Sequence, residues 1–205
     1  MILLAALLLA LLWGLARGGT LARVPSFPLQ AAWIALAAFG LQIYSLYFPV
    51  PRAEGILSLH GILFVLSYAL LFRFVWINRT LPGMWLLGAG LVANFLVMLT
   101  NGGYMPITRE ALAAVGHLQN ALGTEAGSTV LSTKDIILPR EATQLWFLSD
   151  IFMVPPPFPI PSVFSIGDVL VASGVFVLVQ RALGRGSFGS IRFEEQVLAK
   201  NPTAE

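Results

Sequence analysis

Five times along the chain a long run of residues passes with almost no charge. That repetition restricts the possible folds more than any single motif. The runs are Ile2–Ala16, Leu29–Val50, Ile56–Ile77 (interrupted by His60 and Arg73), Leu81–Thr100, and Val163–Gln180, which carries Asp168 near its start. A membrane-spanning helix takes about 20 mostly apolar residues, and each run reaches or approaches that length. Of the 205 residues 57% are hydrophobic and 11% charged, against about 25% charged in ordinary soluble domains. The mean hydropathy is +0.82. A soluble domain of this size could not hide so much apolar surface, and the same numbers exclude disorder, collagen and coiled coil. There is no cysteine, which removes disulfides, thiolate catalysis and cysteine-held metals. The 12 basic and 10 acidic side chains are scattered rather than gathered on a stripe, so no nucleic-acid partner is expected.

The expected fold is therefore an all-α integral membrane protein. Residues 1–183 form a single domain of five transmembrane helices, 101–162 a long, partly helical extracytoplasmic loop, and 184–205 a cytoplasmic tail. The first run could be read as a cleaved signal peptide, but its basic residues, Arg17 and Arg23, follow the apolar stretch instead of preceding it, which favours a retained helix. Lys and Arg set orientation. Arg17 and Arg23, then Arg73 and Arg79, then Arg181, Arg185, Arg192 and Lys200 fall on alternate connections, while Arg109, Lys134 and Arg140 are diluted by Glu110, Glu125, Asp135, Glu141 and Asp150. The N-terminus is placed outside and the C-terminus in the cytoplasm.

Loops as long as 101–162 are usually functional or disordered, and this one carries order signals. Thr108 before Arg109-Glu110-Ala111 reads as a helix N-cap. Leu112, Val115, Leu118 and Leu122 then recur at helical spacing, ahead of a break at Gly123–Ser128. Pro139 opens a second expected short helix through Leu145, Phe147 and Leu148, lying on the membrane surface with Trp146 at headgroup depth. The tract Pro155-Pro156-Pro157-Phe158-Pro159-Ile160-Pro161 is expected to be a stiff extended spacer of about 20 Å. In the tail, Ile191–Leu198 is expected to form a turn or two of amphipathic helix.

Polar groups inside apolar spans are expensive and each is a functional hypothesis. In the expected topology His60, Asn94, Asn101 and Asp168 all come to the outer boundary, with Asp150 just before the proline tract and Ser165 three residues before Asp168. Each also has a structural reading. His60 can bond a backbone, Asn94 can join helices, Asn101-Gly102-Gly103 can end a helix, and Ser165 can cap the helix that Asp168 enters. Taken together, His60, Asn94, Asn101, Asp150, Ser165 and Asp168 are the candidate ligand-binding set. Asp150 and Asp168, if close, could share a proton as an acid–base pair. Two histidines and two aspartates form no specific metal signal, and nothing in the sequence asks for a cofactor.

The motifs Asn101-Gly102-Gly103-Tyr104-Met105-Pro106 and Leu148-Ser149-Asp150, the proline tract, and Val163-Phe164-Ser165-Ile166-Gly167-Asp168-Val169-Leu170 resemble a family of small bacterial membrane proteins known as a domain of unknown function. The resemblance runs from the first helix to about Arg181 and implies a multi-pass protein of the bacterial cytoplasmic (inner) membrane. The stretch from Phe164 to Gly174 is also similar to the last motif of signal peptidase II, an aspartyl peptidase whose pattern is Phe-Asn-x-Ala-Asp-x-x-Ile-x-x-Gly. Asp150-Ile151-Phe152 resembles its other aspartate motif. That likeness implies Asp150 and Asp168 as a catalytic dyad. Ser165 and Gly167 depart from the pattern, the Gly-Asn-x-x-Asp-Arg stretch is missing, and the expected spans number five instead of four.

Three functions follow as expectations. The first is a non-enzymatic protein that binds a lipid, peptide or protein partner at its outer face, among membrane lipids. The second is an aspartyl hydrolase using Asp150 and Asp168. The third is a small transporter that would have to oligomerise, although no paired broken helices are visible. The first asks least of the chain.

Overall fold

The computed structural model describes residues 2–47 and 57–184 except 124 and 132. The connection holding Arg52 and Glu54, and the tail from 185 with its expected amphipathic turns, lie outside the described residues. Five long apolar helices dominate: α1 (Ile2–Ala16), α2 (Ala32–Tyr47), α3 (Leu59–Ile77), α4 (Met84–Thr100) and α6 (Ile166–Leu183), with a one-and-a-half-turn α5 (Arg109–Ala114) in the long loop. By length and composition α3 and α6 are each able to cross a membrane, and α1, α2 and α4 are shorter apolar helices.

The helices pack as a row, α1 on α6, α6 on α4, α4 on α3 and α3 on α2. Their ends sort into two sets. Ser45 near the end of α2 meets His60 at the start of α3, and Asn94 late in α4 meets Asp168 at the start of α6. At the opposite end Gln180 reaches the Ala10 carbonyl, and the Thr20 amide donates to Leu183. Between them an aromatic cluster fills the core: Phe95 lies 5.4 Å from Phe64, 5.3 Å from Tyr68 and 5.5 Å from Phe72. The outward faces are apolar, with Leu12, Trp33, Leu36, Ile62, Trp76 and Trp85 about half or more exposed.

The all-α expectation needs correction in the loop. Met105–Ile107 (β1) pairs in parallel with Asp135–Ile137 (β2), and Phe152–Val154 (β3) pairs antiparallel with Ser162–Phe164 (β4). The proline tract is accordingly the tip of a hairpin and not an extended spacer. Val154 faces Ser162 across it, and the Phe158 amide donates to Pro155 at 3.3 Å. Proline stiffens each residue without deciding the path, and the β-prone triplets on either side decide it. The helix capped by Thr108 stops at Ala114, with Gly116 at φ +74°. Leu118 belongs to a separate 3-10 turn, and Leu122 lies beyond it. The second expected helix is two 3-10 turns, Arg140–Ala142 and Trp146–Leu148, separated by Leu145 at φ +53°.

The α4–α6 contact depends on missing side chains. A Cβ on Gly174 would lie 2.6 Å from the Leu87 amide nitrogen and 2.7 Å from the Gly83 carbonyl oxygen. Gly167 faces Asn94 and Gly90 in the same way. Backbone meets backbone, as in close helix pairs within membranes. Gly174→Val therefore cannot be relieved by a rotamer change and should cost about 1–3 kcal/mol or more. Gly40, with nothing within 4 Å of its Cβ position, should accept Ala without loss. Thermal unfolding in detergent checks the pair, and equal stability of Gly174→Val and Gly40→Ala would remove the close-packing account.

Candidate functional site

Ser165 and Asp168 open α6 as a capping box. The Asp168 amide donates to Ser165 Oγ at 3.0 Å, and the Ser165 amide donates to Asp168 Oδ2 at 3.2 Å. The sequence signal is Ser followed three residues later by an acid. Asn94 of α4 closes the arrangement. Its Nδ2 donates to Asp168 Oδ1 at 2.9 Å, and its Oδ1 accepts from Ser165 Oγ at 2.9 Å. Each buried polar side-chain atom of the three residues therefore has a partner, and such a satisfied network fixes one geometry.

His60 sits at the loop end of α3, two residues after its cap Ser58. Gly103 O can only accept, so the 3.3 Å contact makes Nε2–H the donor, and in the neutral ring Nδ1 then accepts from Ser45 Oγ at 2.8 Å. The imidazole stacks on Tyr104 at 4.2 Å. Beside it, between α2 and α3, lies a cavity of about 70 Å³ whose polar lining is Gln42, Ser45, His60, Ser67, Tyr68 and Lys134. Gln42 donates to Ser67 at 3.3 Å and Tyr68 to the Met98 sulfur at 3.7 Å. The space admits a few waters or one small polar group.

Lys134 is the residue that sequence reasoning missed. It immediately precedes β2, and its backbone carbonyl accepts from the first amide of β1. Desolvation alone would lower its ammonium, but the combined field of Asp168, Tyr68, Asp150 and Asp135 holds it above its ordinary value. No spacing rule points from a loop lysine to a cavity between two distant helices. Gln42, Ser45 and Ser67 did carry a signal, as isolated polar residues inside charge-free runs.

Asn101 does not join these groups. Its Nδ2 donates to the Val97 carbonyl and, at 2.9 Å, to the Gln144 carbonyl, while its Oδ1 accepts from the Gln144 amide at 3.1 Å. The side chain thus pairs with a distant main chain as a strand would. Asn78 does the same to Gln30 at the opposite end, at 2.8 and 2.9 Å. Asn101 ends α4 at φ −114°, and the left-handed turn falls on Gly102 and Gly103.

Asp150 extends the small sheet through its bridge to Ile107, and its amide donates to Pro106 at 3.2 Å. The side chain is buried and its Oδ1 has no hydrogen-bond partner. Burial, reinforced by Asp135 and Asp168 and opposed by Lys134, pushes the carboxyl well above the usual range. The charge of Asp168 thus reaches Asp150, but no hydrogen bond between the two is formed. Among the described residues no group of three or more His, Asp or Glu is placed to hold a metal ion.

The network predicts a graded response at Asp168. Asp168→Ala strands the Asn94 amide and the Ser165 N–H in a buried place, at about 1–3 kcal/mol. Asp168→Asn can recover most of the bonds if the Asn94 amide turns over, and should lose less. Melting curves of the two variants in detergent check this. Equal losses would mean that charge, and not the hydrogen-bond cycle, is what the position requires.

No solved structure matches the chain. A Thermotoga maritima protein described as an uncharacterized protein is 32% identical over 130 residues, which cover 63% of this chain and 70% of that one. The DUF5317 family, described as a family of unknown function, matches residues 26–180, a span that takes in the Asn94 network, the α2–α3 cavity and both asparagine clamps. The chain belongs to the DUF5317 family.

Proposed function

We propose that the chain is a multi-pass membrane protein of five spans, α1–α4 and α6, with the long loop outside, and that the α2–α3 cavity receives the polar headgroup of a membrane amphiphile. The observation that carries the reading is the cavity itself. Hydroxyls, an amide, an imidazole and an ammonium line it at the loop end of two helices whose other faces are apolar. Polar linings at that depth cost stability unless they are used.

Two further observations support the membrane setting. All five apolar helices expose large apolar side chains, among them Leu12, Trp33, Leu36, Ile62, Trp85 and Val169, and soluble monomers rarely leave large apolar patches in water. The end opposite the loop carries Arg17, Arg23, Arg73, Arg79 and Arg181 and, among the described residues, no acid. That is the charge pattern of a cytoplasmic face.

The aspartyl-hydrolase reading has less support. Both oxygens of Asp168 already accept hydrogen bonds, one from Asn94 and one from Ser165, so the group is engaged in holding α4 and α6 together.

Native mass spectrometry of the detergent-solubilised protein tests the binding reading, with phosphatidylglycerol as probe against phosphatidylcholine. One retained phosphatidylglycerol is expected, with occupancy reduced at least about tenfold, or 1.4 kcal/mol, in Lys134→Ala and in Gln42→Leu. Equal retention of both lipids, unchanged by either substitution, would contradict it.

A further inference from the structure

A second cleft lies wholly within the long loop and shares no lining residue with the α2–α3 cavity. It measures about 220 Å³ and runs between the start of α5 and the 3-10 turns, with Thr108, Arg140, Thr143, Trp146, Ser149 and Asp150 contributing its polar and aromatic lining. Two of these residues are not explained by the fold. Asp150 is 6% exposed, and its Oδ1 is the one buried side-chain oxygen or nitrogen without a hydrogen-bond partner among the described residues. Leaving such an atom unmet costs about 1–3 kcal/mol, and the strand position it occupies could be filled by an apolar residue without that cost. Arg140 is exposed, and its guanidinium is parked over the Trp146 ring, 3.4 Å from the centroid. It forms no ion pair among the described residues, and the ring holds its flat cation at the cleft wall.

The cleft therefore offers a carboxyl that lacks a donor and a guanidinium that lacks an anion, with an indole beside them. We propose that it binds a small zwitterion, in which a primary ammonium donates to Asp150 and an acid group a few bonds away pairs with Arg140. A free amino acid and the headgroup of an ethanolamine phospholipid share this chemistry. At about 220 Å³ the cleft is smaller than the roughly 300 Å³ at which pockets for drug-sized ligands begin, which suits a ligand as small as either of these. Asp135, Lys134 and Asp168 act on the carboxyl with mixed charge, and none of them donates a hydrogen bond to its Oδ1. Asp150 thus has no neighbour of its own that meets its free oxygen, and a ligand ammonium would supply the missing donor.

Calorimetric titration of the full chain in detergent tests this, with alanine and O-phosphoethanolamine as zwitterions and ethylamine and propionate as single-charge controls. Saturable binding is expected for at least one zwitterion, at least about tenfold tighter than for either control. Asp150→Asn and Arg140→Gln should each weaken it at least about tenfold. Arg140 is on the surface, so its variant keeps the test valid even where Asp150→Asn fails to fold. Repeating the alanine titration in nanodiscs identifies the source. Weaker apparent binding in phosphatidylethanolamine than in phosphatidylcholine points to the lipid headgroup, and equal binding points to a free solute. No saturable binding of either zwitterion up to about 10 mM, controls that bind as well, or affinity that survives Arg140→Gln would overturn the proposal.

Discussion

Two hydrogen bonds from Asn94, to Asp168 and from Ser165, fasten α4 to the start of α6, the Ser165–Asp168 capping box holds their partners in place, and the rest of the loop end is built around that joint. The bonds can form only because Gly90 and Gly167 let the two backbones approach. With ordinary side chains there the helices would stand apart, and Asn94 could not span the gap. Where apolar surfaces give little preference for one helix partner over another, polar pairs and small residues decide which helices meet. The same joint sets where β4 ends and α6 begins, and so where the loop rejoins the bundle.

The loop is held at further points by a different device. Asn101 ends α4 and pairs side chain to main chain with Gln144, while β1 and β2 tie residues 105–107 to 135–137. Between these anchors Lys134 is carried over the helix ends to the cavity beside His60 and Tyr68. Asp150, a neighbour of the same small sheet, lines the second cleft. One short sheet therefore places a cation at one cavity and a carboxyl at another. Its electrostatics are shared, since Asp135, Asp150 and Asp168 act on Lys134, and Asp135, Lys134 and Asp168 act on Asp150.

The helices were legible because an apolar run is a local property. Charge-free runs gave all five within a few residues, and Ser165 three before Asp168 announced its own cap. The Thr108 cap was equally readable, because its bond to the Ala111 amide spans three residues. What could not be read depended on distant pairing. The strand Met105–Ile107 finds its partner, Asp135–Ile137, some 30 residues on, and triplets so short carry no alternation from which a strand could be read. The proline tract hid a reversal that the flanking triplets Phe152–Val154 and Ser162–Phe164 encode, with Phe152 and Phe164 stacked 5.5 Å apart. Lys134 had no local signature at all. Asn94, Ser165 and Asp168 do come together, whereas Asn101 serves as a clamp and His60 bonds to α2 and the turn after α4.

The central claim is that the loop and its polar sites face outward across a membrane that the five apolar helices cross. Labelling of engineered cysteines in intact cells tests it directly, since the chain has none of its own. Gln119 on the loop and Thr80 at the opposite end are both exposed. A membrane-impermeant maleimide should label Gln119→Cys in intact cells and Thr80→Cys only after permeabilisation. Labelling of Thr80→Cys in intact cells, or protection of Gln119→Cys, would contradict the account.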